Sequence, residues 1–268
     1  MLELKPLSKV QAIRANFILE DFMPIPKNAV TLLSATGGTG KTRLSLLMAD
    51  RHIQHTNEKV ALWLTEDYAG QIRQSCDEMI TMGMMHKDSL ESMLLIINEP
   101  PQLAKREHGL FKANYEAINE IGKDLIVADV KFVVFDPLLA FYGGNENDNS
   151  EARVFIQAFA EWAKVSQITT LIIHHMNKDG GTRGATAFHD GVRARYDLDI
   201  PRDKEGNADK GLMSQGFRIA TLMKDNWGIR KHLWKLTDGQ DKITLKIMPP
   251  LVIEVPYKEP KPSLGFTL

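Results

Sequence analysis

Val30-Thr31-Leu32-Leu33-Ser34-Ala35-Thr36-Gly37-Gly38-Thr39-Gly40-Lys41-Thr42 is the stretch whose reading decides the rest of the chain. An apolar, β-branched run stops abruptly, a glycine-rich loop follows, and Leu44, Leu46, Leu47, Met48 and Ile53 then recur largely on one side of a helical period. Strand, loop and helix in that order form an anion cradle. Gly37, Gly38 and Gly40 let backbone N–H groups turn toward phosphate oxygens, and the helix offers its positive end to the same anion. Lys41 reaches the β- and γ-phosphates as a point charge, and the Thr42 hydroxyl suits the bridging Mg²⁺. The expected ligands are therefore ATP and Mg²⁺, held by Gly37, Gly38, Thr39, Gly40, Lys41, Thr42 and Arg43. Ala35 replaces the first glycine of the usual GxxxxGK[ST] pattern and still leaves room for the turn. The competing reading is an ordinary glycine-rich βα turn. Chance alone yields [AG]xxxxGK[ST] in about two of a hundred chains this long.

A chain of 268 residues with 43% hydrophobic content can bury a large core, and one α/β domain is the expected arrangement. Its single cysteine, Cys76, excludes internal disulfides and any multi-cysteine zinc ribbon, including that of a zinc-dependent primase, and fits a reducing cytoplasm. No run of ~18 apolar residues and no basic-then-apolar leader occurs, so no membrane span or secretory signal is expected. A net charge of −1 lacks the bulk footprint of a nucleic-acid binder, so any such contact must come from a local basic patch.

Residues 1–29 read as an N-terminal helical arm, with Val10, Ile13, Phe17 and Ile18 at helical spacing ahead of Pro24 and Pro26. The arm either packs on its own core or docks on a neighbouring subunit. A second strand, Val60 to Thr65, ends on Glu66-Asp67. In parallel α/β sheets ligands bind beyond the carboxyl ends of strands, so Glu66 is placed to deprotonate the attacking water. Alternatively, both carboxylates open the next helix, where acidic residues suit the first turn. A helix over 68–86, a strand over 94–97 and a helix over 110–128 follow.

Lys131 to Asp136 reads as a buried strand ending in the carboxylate that holds Mg²⁺. Pro137 comes next rather than Glu, which transfers the base role to Glu66. The polar loop 143–150 leads into a helix capped by Ser150 or Asn149. The next strand, Thr169 to His175, ends in two histidines suited to sensing a γ-phosphate; a zinc site is the rival, although adjacent strand side chains face opposite ways. From residue 194 short strands are expected near 194–200, 217–224, 230–236, 243–247 and 251–255, forming an antiparallel extension. Residues 256–268, with three prolines, read as a tail.

Taken in series, these motifs resemble a RecA-fold ATPase of the DnaB-like group, and most closely the hexameric plasmid replicative helicases of the RepA type. The resemblance rests on Thr36 to Thr42, Leu64-Thr65-Glu66-Asp67, Phe135-Asp136, Ile173-His174-His175 with Lys178, Arg183-Gly184, Asp190-Gly191-Val192-Arg193 and Lys224-Asp225-Asn226-Trp227-Gly228. It implies a RecA-like domain over 30–255, with a mainly parallel sheet flanked by helices. It also implies Glu66 as base, Asp136 and Thr42 on Mg²⁺, and His175, with His174, linking γ-phosphate state to a DNA-contacting loop at Lys178, Thr182 and Arg183. Arg193 and Lys224 would act across a subunit interface; the competing readings make Arg193 or Arg195 a surface residue and Lys224 the ion-pair partner of Asp225 or another acid. The implied protein is a cytoplasmic, ring-forming helicase on single-stranded DNA, a homo-oligomer expected to be hexameric. No residue pattern identifies a primase or loader. The alternative is a RecA-like ATPase acting as a regulatory or assembly factor in replication or recombination.

Overall fold

The structure, a computed structural model, describes residues 4–12, 14–176 and 184–248. The expectations placed on Lys178, Thr182 and Arg183, on a strand at 251–255 and on the tail 256–268 lie outside those residues.

In chain order the elements are β1 (Phe17–Ile18), β2 (Ile25–Pro26), β3 (Val30–Ala35), α1 (Lys41–Thr56), β4 (Lys59–Leu64), α2 (Ala69–Thr81), β5 (Met93–Leu95), β6 (Ala104–Glu107), β7 (Leu110–Ala113), α3 (Tyr115–Val127) and β8 (Val130–Asp136). They continue as α4 (Asn149–Ser166), β9 (Thr169–His175), α5 (Ala187–Gly191), β10 (Ala194–Asp199), α6 (Lys210–Ser214), β11 (Phe217–Asp225), α7 (Ile229–Thr237) and β12 (Lys242–Lys246). Eight strands form one sheet in the order β12-β11-β10-β3-β9-β8-β4-β5. The six from β10 to β5 run parallel, and β11 and β12 extend the sheet antiparallel. The P-loop strand β3 is central and buried along its whole length, as a strand covered on both faces must be.

Strand alternation sorts the core into two layers. Leu33, Phe132, Val134, Leu171 and Ile173 face α1, α2 and α7, while Leu32, Val133, Phe135 and Ile172 face α3, α4 and α5. Asp136 and His175 fall on the α1 side of this alternation.

Four expectations are corrected. The N-terminal arm is not a helix among its described residues: Leu7–Lys9 makes one 3-10 turn and β1 pairs antiparallel with β2. The reason is tertiary, because the buried Tyr196 hydroxyl donates to the Pro24 carbonyl at 2.8 Å while Ile18, Leu19, Phe22, Met23 and Ile25 bury against the α1 layer. Residues 230–236 form a helix, α7, instead of a strand. The Asp225 carboxylate accepts N–H bonds from Trp227, Gly228, Ile229 and Arg230 at its start, and Ile229 and Leu233, four residues apart, are fully buried. β10 joins the parallel part of the sheet, beside β3. The cap of α4 is Asp148, whose carboxylate takes the N–H groups of Ser150 and Glu151; the Asn149 side chain instead receives the Thr186 hydroxyl and the Ala187 N–H.

Candidate functional site

β3, β9, β8 and β4 all end at one edge of the sheet, where Ala35 lies beside His175 and Leu64 beside Asp136. The loop 36–40 leaves that edge and enters α1. Gly38 and Gly40 take φ of +75° and +92°, a region that a side chain would strain. The Thr39 hydroxyl donates to the Thr36 carbonyl at 2.8 Å, and Lys41 Nζ donates to the same oxygen at 3.2 Å. Thr42 Oγ1 points to Asp67 Oδ2 at 3.4 Å. Arg43 pairs its guanidinium with Glu78 of α2 at 2.6 Å, so its contribution to a phosphate is its backbone in the first turn of α1.

Around this loop three further groups converge. Glu66 Oε1 lies 3.1 Å from His175 Nε2, and one ligand atom from each of Glu66, Asp136 and His175 falls within 4.8 Å of the other two. Glu66 and Asp67 precede α2, which starts at Ala69, so they do not serve as its first turn. Asp136 is only 3% exposed. Burial, then the neighbouring Glu66 carboxylate, pushes its carboxyl up to about 7, with Lys41 pulling the other way. Burial likewise lowers the Lys41 ammonium, against the pull of Asp136 and Glu66. Asp136 Oδ1 has no hydrogen-bond partner among the described residues. A buried carboxylate oxygen facing a lysine and a second carboxylate fits a Mg²⁺ ion or its water, which would neutralise the excess negative charge. The glycine loop and Lys41 fit the polyphosphate that such an ion accompanies.

Strand alternation separates the paired histidines. His175 reaches the nucleotide edge, whereas His174 is fully buried against Phe188 and His189, ring centroids 5.5 and 5.6 Å away. The expectation that His174 also faces the γ-phosphate is corrected on that ground.

Arg193 and Lys224 lie elsewhere. The Arg193 N–H bonds to the Val30 carbonyl, at the amino end of β3, and its exposed side chain lines a cleft of about 710 Å³ with Arg14, Lys27, Lys164 and Trp227. Arg195, by contrast, is spent on Asp197 through two bonds of 2.8 and 2.7 Å. Lys224 donates to the backbone carbonyls of Asp190 and His189 at 2.6 and 3.3 Å, and Asp225 is occupied by the α7 N–H groups, so Lys224 is not ion-paired to its neighbour. Sequence reasoning missed Arg218 and gave Asp67 no role at Thr42; both reach the loop from residues far along the chain.

Fold and site together define a P-loop ATPase, with a glycine-rich loop on a parallel sheet and an acidic cluster at the neighbouring strand ends. A family model described as an AAA domain matches residues 15–181, and the chain belongs to that family. The match takes in the loop, Glu66, Asp136 and His175, and ends before Arg193, Arg218 and Lys224. No curated protein matches the chain. No helix among the described residues is long and apolar enough to cross a membrane.

Proposed function

We propose that this ATPase is a ring-forming motor that hydrolyses ATP to move along single-stranded DNA, as the replicative helicases it resembles do. One observation carries the reading: two cations sit away from the nucleotide edge, Arg193 on a cleft lined by Arg14, Lys27 and Lys164 and, among the described residues, by no carboxylate, and Lys224 bonded to the backbone oxygens of His189 and Asp190. Cations so placed do not meet the chain's own phosphates. A second copy brings them to a neighbour's ATP, which makes hydrolysis depend on assembly.

At the nucleotide edge, Lys41 and the loop N–H groups bind the phosphates, and Thr42 and Asp136 would hold Mg²⁺, which would supply charge neutralisation there. Glu66 orients the attacking water and takes its proton. His175, bonded to Glu66, fixes that carboxylate and stands one residue before Met176, whose N–H bonds to the Ala35 carbonyl at 2.9 Å. The chain then enters the 177–183 segment, where the resemblance puts Lys178, Thr182 and Arg183 on DNA. That segment leaves at Ala185, whose N–H bonds to the Glu146 carbonyl at 2.7 Å. A change at the Glu66–His175 pair is thereby passed to the start of the proposed DNA loop.

The regulatory or assembly reading draws on a specific feature as well. The 143–150 loop is acidic and structurally committed, with Glu151 paired to Arg106 and accepting the Asn145 N–H at 2.7 Å. Steady-state ATP hydrolysis with and without single-stranded DNA, across a salt series, separates the two. A motor gives stimulation of about tenfold or more that fades as salt rises. Turnover indifferent to DNA at every salt concentration removes the motor and leaves the regulatory ATPase.

A further inference from the structure

Arg218 of β11 is 6% exposed, and no carboxylate among the described residues pairs with it. Its Nε donates to the Thr39 carbonyl at 3.0 Å, Nη1 to the Phe217 carbonyl at 2.7 Å, and Nη2 to Met248 Sδ at 3.1 Å. A guanidinium cannot shed its proton, so this is a buried positive charge held with neutral acceptors only. Such a charge is costly unless an anion arrives to balance it. Thr39 lies in the loop built to receive one.

The bond to Thr39 also fixes a direction. In a planar trans peptide the carbonyl and the next N–H point opposite ways. Arg218 draws the Thr39 oxygen toward β11, which turns the Gly40 N–H away from β11 and into the cradle. Met248, held by the same guanidinium, also packs against the loop: a Cβ on Gly40 would lie 2.5 Å from its Cε. The loop peptide is thus backed by a buried cation and a methionine that contact each other.

We propose that Arg218 is a positioning residue for the triphosphate: it aims the Gly40 N–H at the phosphates and provides, behind the loop, a positive charge that the bound anion balances. This deepens the ATPase reading and rests on it. The role differs from that of Lys41, which reaches phosphate oxygens itself, and from that of Arg193, which lies at the opposite edge.

The test measures binding of ATP, tripolyphosphate and adenosine to the full chain, with kcat, in wild type, Arg218→Gln and Arg218→Lys. The expected result is a loss of about tenfold or more in ATP and tripolyphosphate affinity for Arg218→Gln, with adenosine affinity and kcat within about twofold. Arg218→Lys keeps the charge but not the fork, and should recover part of that loss. A merely structural arginine gives a lower thermal midpoint in Arg218→Gln with phosphate affinities as in wild type, or equal losses for adenosine and tripolyphosphate, and either result overturns the proposal. If Arg218→Gln does not fold, Arg218→Lys carries the test alone: about threefold weaker tripolyphosphate binding at unchanged adenosine affinity is expected, and wild-type binding overturns it. Wild-type protein that binds neither ATP nor tripolyphosphate sinks the ATPase reading itself, an outcome distinct from either.

Discussion

The two edges of one sheet carry opposite electrostatics. At the carboxyl edge Glu66 and Asp67 lie near the buried Asp136 and Lys41, and burial and then Glu66 push the Asp136 carboxyl up to about 7. At the amino edge Arg14, Lys27, Lys164 and Arg193 line a cleft that, among the described residues, has no carboxylate in its lining, and Lys27 is the one of the four with an ion-pair partner among those residues, Glu58 at 3.8 Å. Each edge lacks what the other supplies. An acidic cluster beside a phosphate loop needs cations to complete the transition-state charge, and a cationic cleft needs an anion. Within one chain a strand of six residues keeps them apart, so in the ring-forming reading proposed above the complement comes from a second copy.

The largest expected effect tests that complement directly. Arg193→Ala should lower ATP turnover by about 10³-fold or more. Mixing it with Lys41→Ala subunits should restore part of the activity, because a mixed interface can pair an intact loop with an intact Arg193. Activity that only dilutes on mixing would mean that the two edges do not meet. Next in size, Glu66→Gln should slow hydrolysis by about 10²- to 10⁴-fold while leaving ATP binding intact, measured by single-turnover kinetics beside equilibrium binding. Near-normal turnover would remove Glu66 from the base role and leave the carboxyl edge as a binding site alone.

The smallest effect concerns what supports the amino edge. His189, whose carbonyl holds Lys224, has its imidazole held down to about 4 by burial, with Arg195 and Lys224 adding to the effect and Asp190 opposing it. Its ordinary value is 6.5. Between the two, the unfolded chain binds a proton that the folded one refuses, so this contribution to stability is lost as pH falls from about 6.5 toward 4. His189→Leu should flatten that part of the acid limb in thermal unfolding. An acid limb identical to wild type would show that groups other than His189 govern it.

Much of the carboxyl edge is legible in sequence because its signals are local. A glycine loop between a strand and a helix, and carboxylates or a histidine at the end of an apolar run, are each read within ten residues, and parallel strands deliver their ends to one edge. Alternation within Ile173-His174-His175 even indicates that only one histidine can face the nucleotide, although it does not say which. The N-terminal arm and the 230–236 segment were harder. Their apolar spacing is compatible with two periods, and the deciding contacts are distant: the Tyr196 hydroxyl on the Pro24 carbonyl, and the Asp225 carboxylate that starts α7.

The sequence by itself determined the phosphate loop, the order of the parallel strands' chemistry and the identity of the groups at their ends, since each is encoded by backbone need or side-chain type over a short span. Only the tertiary structure decided which cations are spent and which remain available. Arg195 is consumed by Asp197 two residues away, Arg193 lines a cleft with Arg14, and Arg218 crosses 179 positions to grip Thr39. A charge is defined by what surrounds it, and burial and partners are properties of packed neighbours that no local pattern contains.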